Sequence, residues 1–84
     1  MQKITVYSTQ WCGDCRVAKR FLNENRIPFH EINIDLDDAA ARQVIDWSGG
    51  RRVIPTLLIE CPQSSQPIIL HNPSLSKLAE VLSQ

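Results

Sequence analysis

Two cysteines three positions apart, in WCGDC at residues 11–15, are the side chains of this chain whose type and spacing best suit chemistry. A C-x-x-C pair serves three purposes: half of a tetrahedral metal site, a small covalent staple, or a dithiol that opens and closes as it passes electrons. A zinc site usually needs about four ligands. The donors outside the pair, Cys61, His30 and His71, show no paired spacing, so no metal site is expected. Three cysteines are an odd number, which suits a disulfide framework poorly. Whatever Cys12 and Cys15 do is expected to involve thiols.

At 84 residues the chain is expected to form a single domain, 1–84, with one modest core. Its 43% hydrophobic and 21% charged residues place it among globular chains and away from disorder. Nine basic and nine acidic residues cancel, so neither nucleic acid nor an anionic membrane is an expected partner. The opening MQKITVYS lacks the apolar region of a signal peptide, and no apolar run approaches the roughly 18 to 20 residues that span a bilayer. A cytoplasmic, monomeric protein acting on proteins or small molecules is the expectation.

The elements that must position the pair follow from periodicity. KITVYS, residues 3–8, is rich in β-branched and aromatic side chains and reads as a buried strand. From Asp14 onward Val17, Ala18, Phe21 and Leu22 form one apolar helical face, which ends at Asn25 and Pro28. FHEINI, 29–34, alternates as a second strand. A second helix follows, with Asp37 or Asp38 as N-cap, Val44, Ile45 and Trp47 turned inward, and Gly49 as its stop. TLLIE, 56–60, and IILH, 68–71, read as strands joined by the turn-rich CPQSSQP. A last helix places Leu75, Leu78, Ala79 and Leu82 on one face. The order βαβαββα predicts an α/β fold with a parallel first pair, an antiparallel last pair, and a four-stranded mixed sheet flanked by helices.

A C-x-x-C closing the first strand of a βαβ unit, with V-I-P-T opening the third strand, resembles the thioredoxin superfamily, and the size and element order are similar to a glutaredoxin. More narrowly, WCGDC, GGRRVIPTLLI and HNPS resemble the mycoredoxin branch, and the likeness runs along nearly the whole chain. The resemblance implies a glutaredoxin-like thioredoxin fold and a thiol–disulfide oxidoreductase without a tightly bound cofactor. Its co-substrate would be a low-molecular-weight thiol, mycothiol or glutathione, and its substrates disulfide-containing or S-thiolated proteins. It also implies a cis Ile54–Pro55 bond facing the active site, with the backbone of Ile54 pairing to the substrate's extended chain.

Physical chemistry assigns the cysteines their roles independently. Unpaired N–H groups and the dipole at a helix N-terminus stabilise an anion, so Cys12 is expected to hold its proton less tightly than a free thiol of pKa about 8.5 and to act as nucleophile. Cys15, about one turn into the helix, is expected to be the more buried resolving thiol. Asp14 opposes the dipole: a carboxylate about 7 Å from the Cys12 sulfur raises its pKa by roughly half to one unit, unless solvent screens it fully.

Around the pair, Trp11, Gly13, Asp14, Arg52, Ile54, Pro55, Asn72 and Ser74 form the expected substrate-facing set. Trp11 either meets substrate and shields the sulfur or simply packs. Arg52 occupies a position that is often basic in similar glutaredoxins and suits a thiol's carboxylate, whereas Arg51 reads as solvated. Asn72 and Ser74 precede the last helix, where capping competes with binding a γ-glutamyl carboxylate. Thr9 stands where many glutathione-using glutaredoxins have Lys, which weighs against glutathione. Thr56, Cys61, His30 and His71 receive structural readings.

Two alternatives remain. Redoxins that serve ribonucleotide reductase take electrons from thioredoxin reductase and carry a W-S-G-F-R-P motif after the fourth strand. WSGG here, at 47–50, falls before Pro55 instead. Some glutaredoxins instead hold an iron–sulfur cluster between two protomers through the first cysteine.

Overall fold

Residues 2–83 are described by the computed structural model. Seven elements follow in the order β1 (Lys3–Ser8), α1 (Gly13–Glu24), β2 (His30–Asn33), α2 (Asp38–Ser48), β3 (Thr56–Glu60), β4 (Ile68–His71) and α3 (Leu75–Leu82). The four strands form one mixed sheet in the order β2-β1-β3-β4. β1 runs parallel to β2, with Thr5 opposite His30, and antiparallel to β3, with Tyr7 opposite Thr56. β3 and β4 close an antiparallel pair that sets Thr56 opposite His71.

Alternation along the strands splits the core into two layers. Ile4, Val6, Leu57 and Ile59 point to one face and pack against Leu22 of α1 and Leu78 and Val81 of α3. Tyr7, on the other face, joins Ile34 and the α2 residues Ala40 and Val44, with Ile54, Leu58 and Trp47 packed against them. The Tyr7 and Trp47 rings meet edge to face at 5.4 Å. α2 therefore covers one face of the sheet, and α1 and α3 cover the other.

Each helix begins on a side-chain cap. Asp37 accepts the Ala40 N–H at 3.0 Å and Ser74 accepts the Lys77 N–H at 3.1 Å; α1 starts on Cys12. α2 stops at Gly49, whose φ of 78° few other residues adopt, while the Gly50 N–H returns to the Ile45 carbonyl at 2.8 Å. The WSGG stretch is thus accounted for by aromatic packing and a helix stop.

Three boundaries or faces differ from the periodic reading. β2 is shorter than 29–34, although the Ile34 N–H still bonds the Ser8 carbonyl at 2.9 Å. On α1 the buried line is Cys15, Ala18 and Leu22, leaving Val17 49% exposed. On α3 it is Leu78 and Val81, with Leu75 42% exposed and Ala79 also exposed. Val17 and Leu75 instead line an open groove of about 340 Å³ with Asp14, Ala18, Asn72, Pro73 and Ser74. The helices tilt their faces toward the sheet, and these two apolar residues fall outside that contact.

α1 is also tied to β1 and β2 by charge. The Glu31 carboxylate of β2 accepts from Lys19 of α1 and from the buried Ser8 hydroxyl of β1, the latter at 2.7 Å. Lys19 first, then Ser8, holds the Glu31 carboxyl below its usual range. Its side chain is 41% exposed, so the pair contributes only about 0.5 kcal/mol. Truncating the fully buried Leu22 to Ala costs roughly 2–5 kcal/mol, so packing holds α1 and the ion pair trims its position. Because the folded-state carboxyl is depressed, its contribution is complete above the ordinary glutamate range and fades as pH falls through the folded-state value. Glu31→Gln is expected to lose about 0.5 kcal/mol at neutral pH, with the gap to wild type closing below about pH 4. Denaturant unfolding across pH measures this, and a gap that persists in acid contradicts it.

Candidate active site

The C-terminal end of β1 delivers the chain into a turn and then into α1, so Cys12 lies at the N-terminus of a helix whose inner face is anchored under the sheet. Its backbone is extended (φ −86°, ψ 115°), and its sulfur takes the N-cap position, accepting the Cys15 N–H at 3.1 Å. Cys12 is 7% exposed and Cys15 fully buried. Their sulfurs meet in bonding range with Cα atoms 5.3 Å apart, a separation suited to a disulfide. When the bond is open, the helix dipole and the same N–H favour a thiolate at Cys12 over one at Cys15.

Three loops converge on this end of the sheet. Pro55, buried and joined to Ile54 by a cis bond, leads into β3 beside the end of β1. The Pro55 carbonyl accepts the Asn72 N–H at 2.7 Å, which ties the proline loop to the segment before α3. Asn72 itself adopts φ 45°, a conformation Asn tolerates better than most residues. Behind it, the Thr56 hydroxyl donates to the Val53 carbonyl at 2.8 Å and lies 2.9 Å from His71 Nδ1. With its one proton given to Val53, Thr56 accepts from the ring, so Nδ1 carries a hydrogen. His71 thus braces the proline loop from the end of β4.

Of the expected substrate-facing residues, Trp11 is 68% exposed and its indole Nε1–H donates to Asp35 Oδ2 at 3.0 Å. Gly13 opens α1, with free space where a side chain would project. Asp14 lies in the first turn of α1. Arg52 is already paired, donating to Asp35 Oδ1. Ile54 is half-buried against the α2 layer. Asn72 and Ser74 border the groove beside α1, and the Ser74 hydroxyl is committed to its helix cap. Thr9 is 2% exposed and, among the described residues, its hydroxyl has no hydrogen-bond partner. Arg51 is exposed, as is His30.

Asp35 is the residue that the motif reading passed over. Its two oxygens join Trp11 and Arg52, which lie 24 and 17 positions away in sequence; no local periodicity carries such a bridge. Arg52 chiefly, and Trp11 secondarily, hold its carboxyl below the usual range. Cys61 is remote: it follows β3 at the opposite end of the sheet, where it lines a cavity of about 330 Å³ with Lys3, Glu60 and Pro62. Among the described residues, no group of three or more His, Cys, Asp or Glu side chains is arranged to hold a metal ion, and no helix is long and apolar enough to cross a membrane.

Sheet order, helix placement and the cysteine pair at the head of α1 define a thioredoxin-like protein. A solved thioredoxin-like protein superposes with a TM-score of 0.75, covering 93% of this chain and 97% of that one at 23% identity. The glutaredoxin family profile matches residues 4–65, and the chain belongs to the glutaredoxin family. A Mycobacterium tuberculosis protein named for that family is 43% identical over 54 residues. The match covers 64% of this chain and 64% of that relative, less than two thirds of its length. The glutaredoxin-like protein NrdH of Lactococcus lactis is 39% identical over 54 residues, 64% of this chain and 72% of that one. Mycoredoxin 1 of Corynebacterium glutamicum is 32% identical over 57 residues, 68% of this chain and 70% of that one.

Replacing the first-turn acid tests the electrostatics of the helix head. Asp14→Asn is expected to lower the Cys12 thiol pKa by about half to one unit, read from thiolate ultraviolet absorbance against pH in a Cys15→Ser background. An unmoved or raised value contradicts the opposition between Asp14 and the helix dipole.

Proposed function

We propose that this protein is a glutaredoxin-type thiol–disulfide oxidoreductase: a single cytoplasmic domain, 1–84, acting as a monomer on disulfide-containing or S-thiolated proteins. The observation that carries the reading is Cys12 as the N-cap of α1, its sulfur 3.1 Å from the Cys15 N–H and within bonding range of the Cys15 sulfur, in a chain of the glutaredoxin family.

The exchange begins with the pair reduced. The Cys12 thiolate attacks one sulfur of a substrate disulfide; that S–S bond breaks, a mixed disulfide forms at Cys12, and the departing sulfur leaves as a thiolate that takes a proton from solvent. In the dithiol route, Cys15 gives up its proton and attacks the Cys12 sulfur. The substrate leaves reduced, and the pair is left oxidised by two electrons. In the monothiol route, Cys12 takes a small thiol from the substrate protein, and a second molecule of that thiol attacks it there. The products are the small disulfide and the Cys12 thiolate. The buried Cys15 suits the resolving role, and the more accessible Cys12 the attacking one.

Trp11, Gly13, Asp14, Ile54, Pro55, Arg52, Asn72 and Ser74 are the substrate-facing residues of this reading, with the backbone of Ile54 pairing to an extended substrate segment. The open space at Gly13 and the exposure of Trp11 support access to Cys12 from that side. A low-molecular-weight thiol, mycothiol or glutathione, is the proposed co-substrate, and no tightly bound cofactor is required.

Turnover of a small mixed disulfide is the test, with glutathione, mycothiol, or thioredoxin reductase plus NADPH supplied in separate reactions. One small thiol is expected to sustain turnover in both wild type and Cys15→Ser, while Cys12→Ser loses about 10³-fold or more. Turnover driven only by the reductase, with Cys15 indispensable, would instead make the protein a dithiol electron carrier.

A further inference from the structure

We propose that Asp35 is a specificity-determining residue: by occupying Arg52 and Trp11 with its own carboxylate, it sets the surface beside Cys12 against thiols that carry a carboxylate and in favour of uncharged ones. The inference rests on the proposed exchange at Cys12 and concerns which small thiol that site accepts.

Arg52 is the basic residue nearest in sequence to the proline loop, and an unpaired guanidinium there would be a ready fork for a ligand carboxylate. It is not unpaired. Asp35 Oδ1 accepts from it, and Asp35 Oδ2 accepts the Trp11 indole N–H at 3.0 Å, so both oxygens of one carboxylate are in use. The Asp35 loop is itself held in place, because the Asp35 N–H donates to Asn33 Oδ1 at 2.9 Å and the Leu36 N–H to the Asn33 carbonyl at 3.0 Å. Trp11 adjoins Cys12 in the chain, so the bridge reaches from the proline loop to the reacting sulfur's neighbour. An incoming carboxylate has either to displace Asp35 from Arg52 or to bind beside a like charge.

The acidic residues near the bridge act in the same direction. Asp37 and Asp38 follow on the same segment and are exposed, and Asp14 lies exposed on α1 just past Cys12; the exposed Arg51 beside Arg52 opposes these three. The Arg52–Asp35 pair is itself about 40% exposed on each side. Its competition with a ligand is therefore moderate and weakens with salt. An uncharged thiol meets none of this and still has the exposed Trp11 ring against which to lie.

The test uses two mixed disulfides of one peptide, with glutathione, which carries two carboxylates, and with 2-mercaptoethanol, which carries none. Each reacts with pre-reduced protein in a single turnover, and the readout is the ratio of the two rate constants, which a merely structural loss would leave unchanged. Asp35→Asn is expected to shift that ratio about three- to tenfold toward the glutathione disulfide. Asp35→Glu is expected to keep the wild-type ratio, and adding Arg52→Gln to Asp35→Asn to abolish the gain. An unchanged ratio in Asp35→Asn, or a gain that survives Arg52→Gln, overturns the proposal. If neither disulfide reacts with wild type, the exchange reading fails. The proposal is then decided by titration with S-methylglutathione, which cannot exchange: Asp35→Asn must bind it about three- to tenfold more tightly, and equal affinity overturns it.

Discussion

Helix α1 begins on a sulfur atom, and the rest of the site is arranged around that. In most helices the N-cap is an oxygen, and its acceptance of a backbone N–H satisfies a donor that the helix leaves free. Here Cys12 Sγ takes that place and accepts from Cys15. One interaction thus caps the helix, holds the two sulfurs on the same side of its first turn, and directs the positive end of the peptide dipole at the atom best able to carry negative charge. The cap works only because α1 is fixed elsewhere: Ala18 and Leu22 are buried, Leu22 in the layer formed by β1, β3 and α3. The conformational freedom that would let the cysteines separate has already been removed by that packing.

The same economy extends to the loops. Residues 52–56, 71–74 and 33–36 contribute no regular structure at the site except their strand ends, yet each is bonded to another. Pro55 is tied to Asn72, Thr56 to Val53 and His71, and Asp35 to Trp11 and Arg52. The antiparallel register of β3 and β4, which sets Thr56 opposite His71, makes the first two ties possible. Polar links between loops contribute little to global stability, but they limit how far the walls of a groove can drift from a reacting atom, which matters more to chemistry than to folding.

Much of this was legible in the sequence because its causes are local. The β-branched and aromatic side chains of KITVYS and the apolar run of TLLIE marked both strands to the residue, and Asp37 and Gly49 marked the ends of α2 because capping depends on side-chain type at a single position. The cysteine pair was legible from spacing and from the switch between periods two and 3.6. What escaped depends on distance in sequence. A helical wheel counts Val17 and Leu75 as core, but which arc of a helix meets the sheet is decided by where the helix docks, and both line a groove instead. Arg52 read as a partner for a thiol's carboxylate because nothing near it in sequence announces Asp35. His71 had no assigned partner because its bond to Thr56 exists only once two strands are paired.

The central claim is that the head of α1 makes Cys12 the thiolate of the pair, and the rate at which each cysteine of the reduced protein reacts with iodoacetamide as pH is raised tests it most directly. The expected result is modification of Cys12 well before Cys15, with a half-maximal rate for Cys12 below the free-thiol value of about 8.5. A half-maximal rate at or above that value, or modification of Cys15 first, would contradict it.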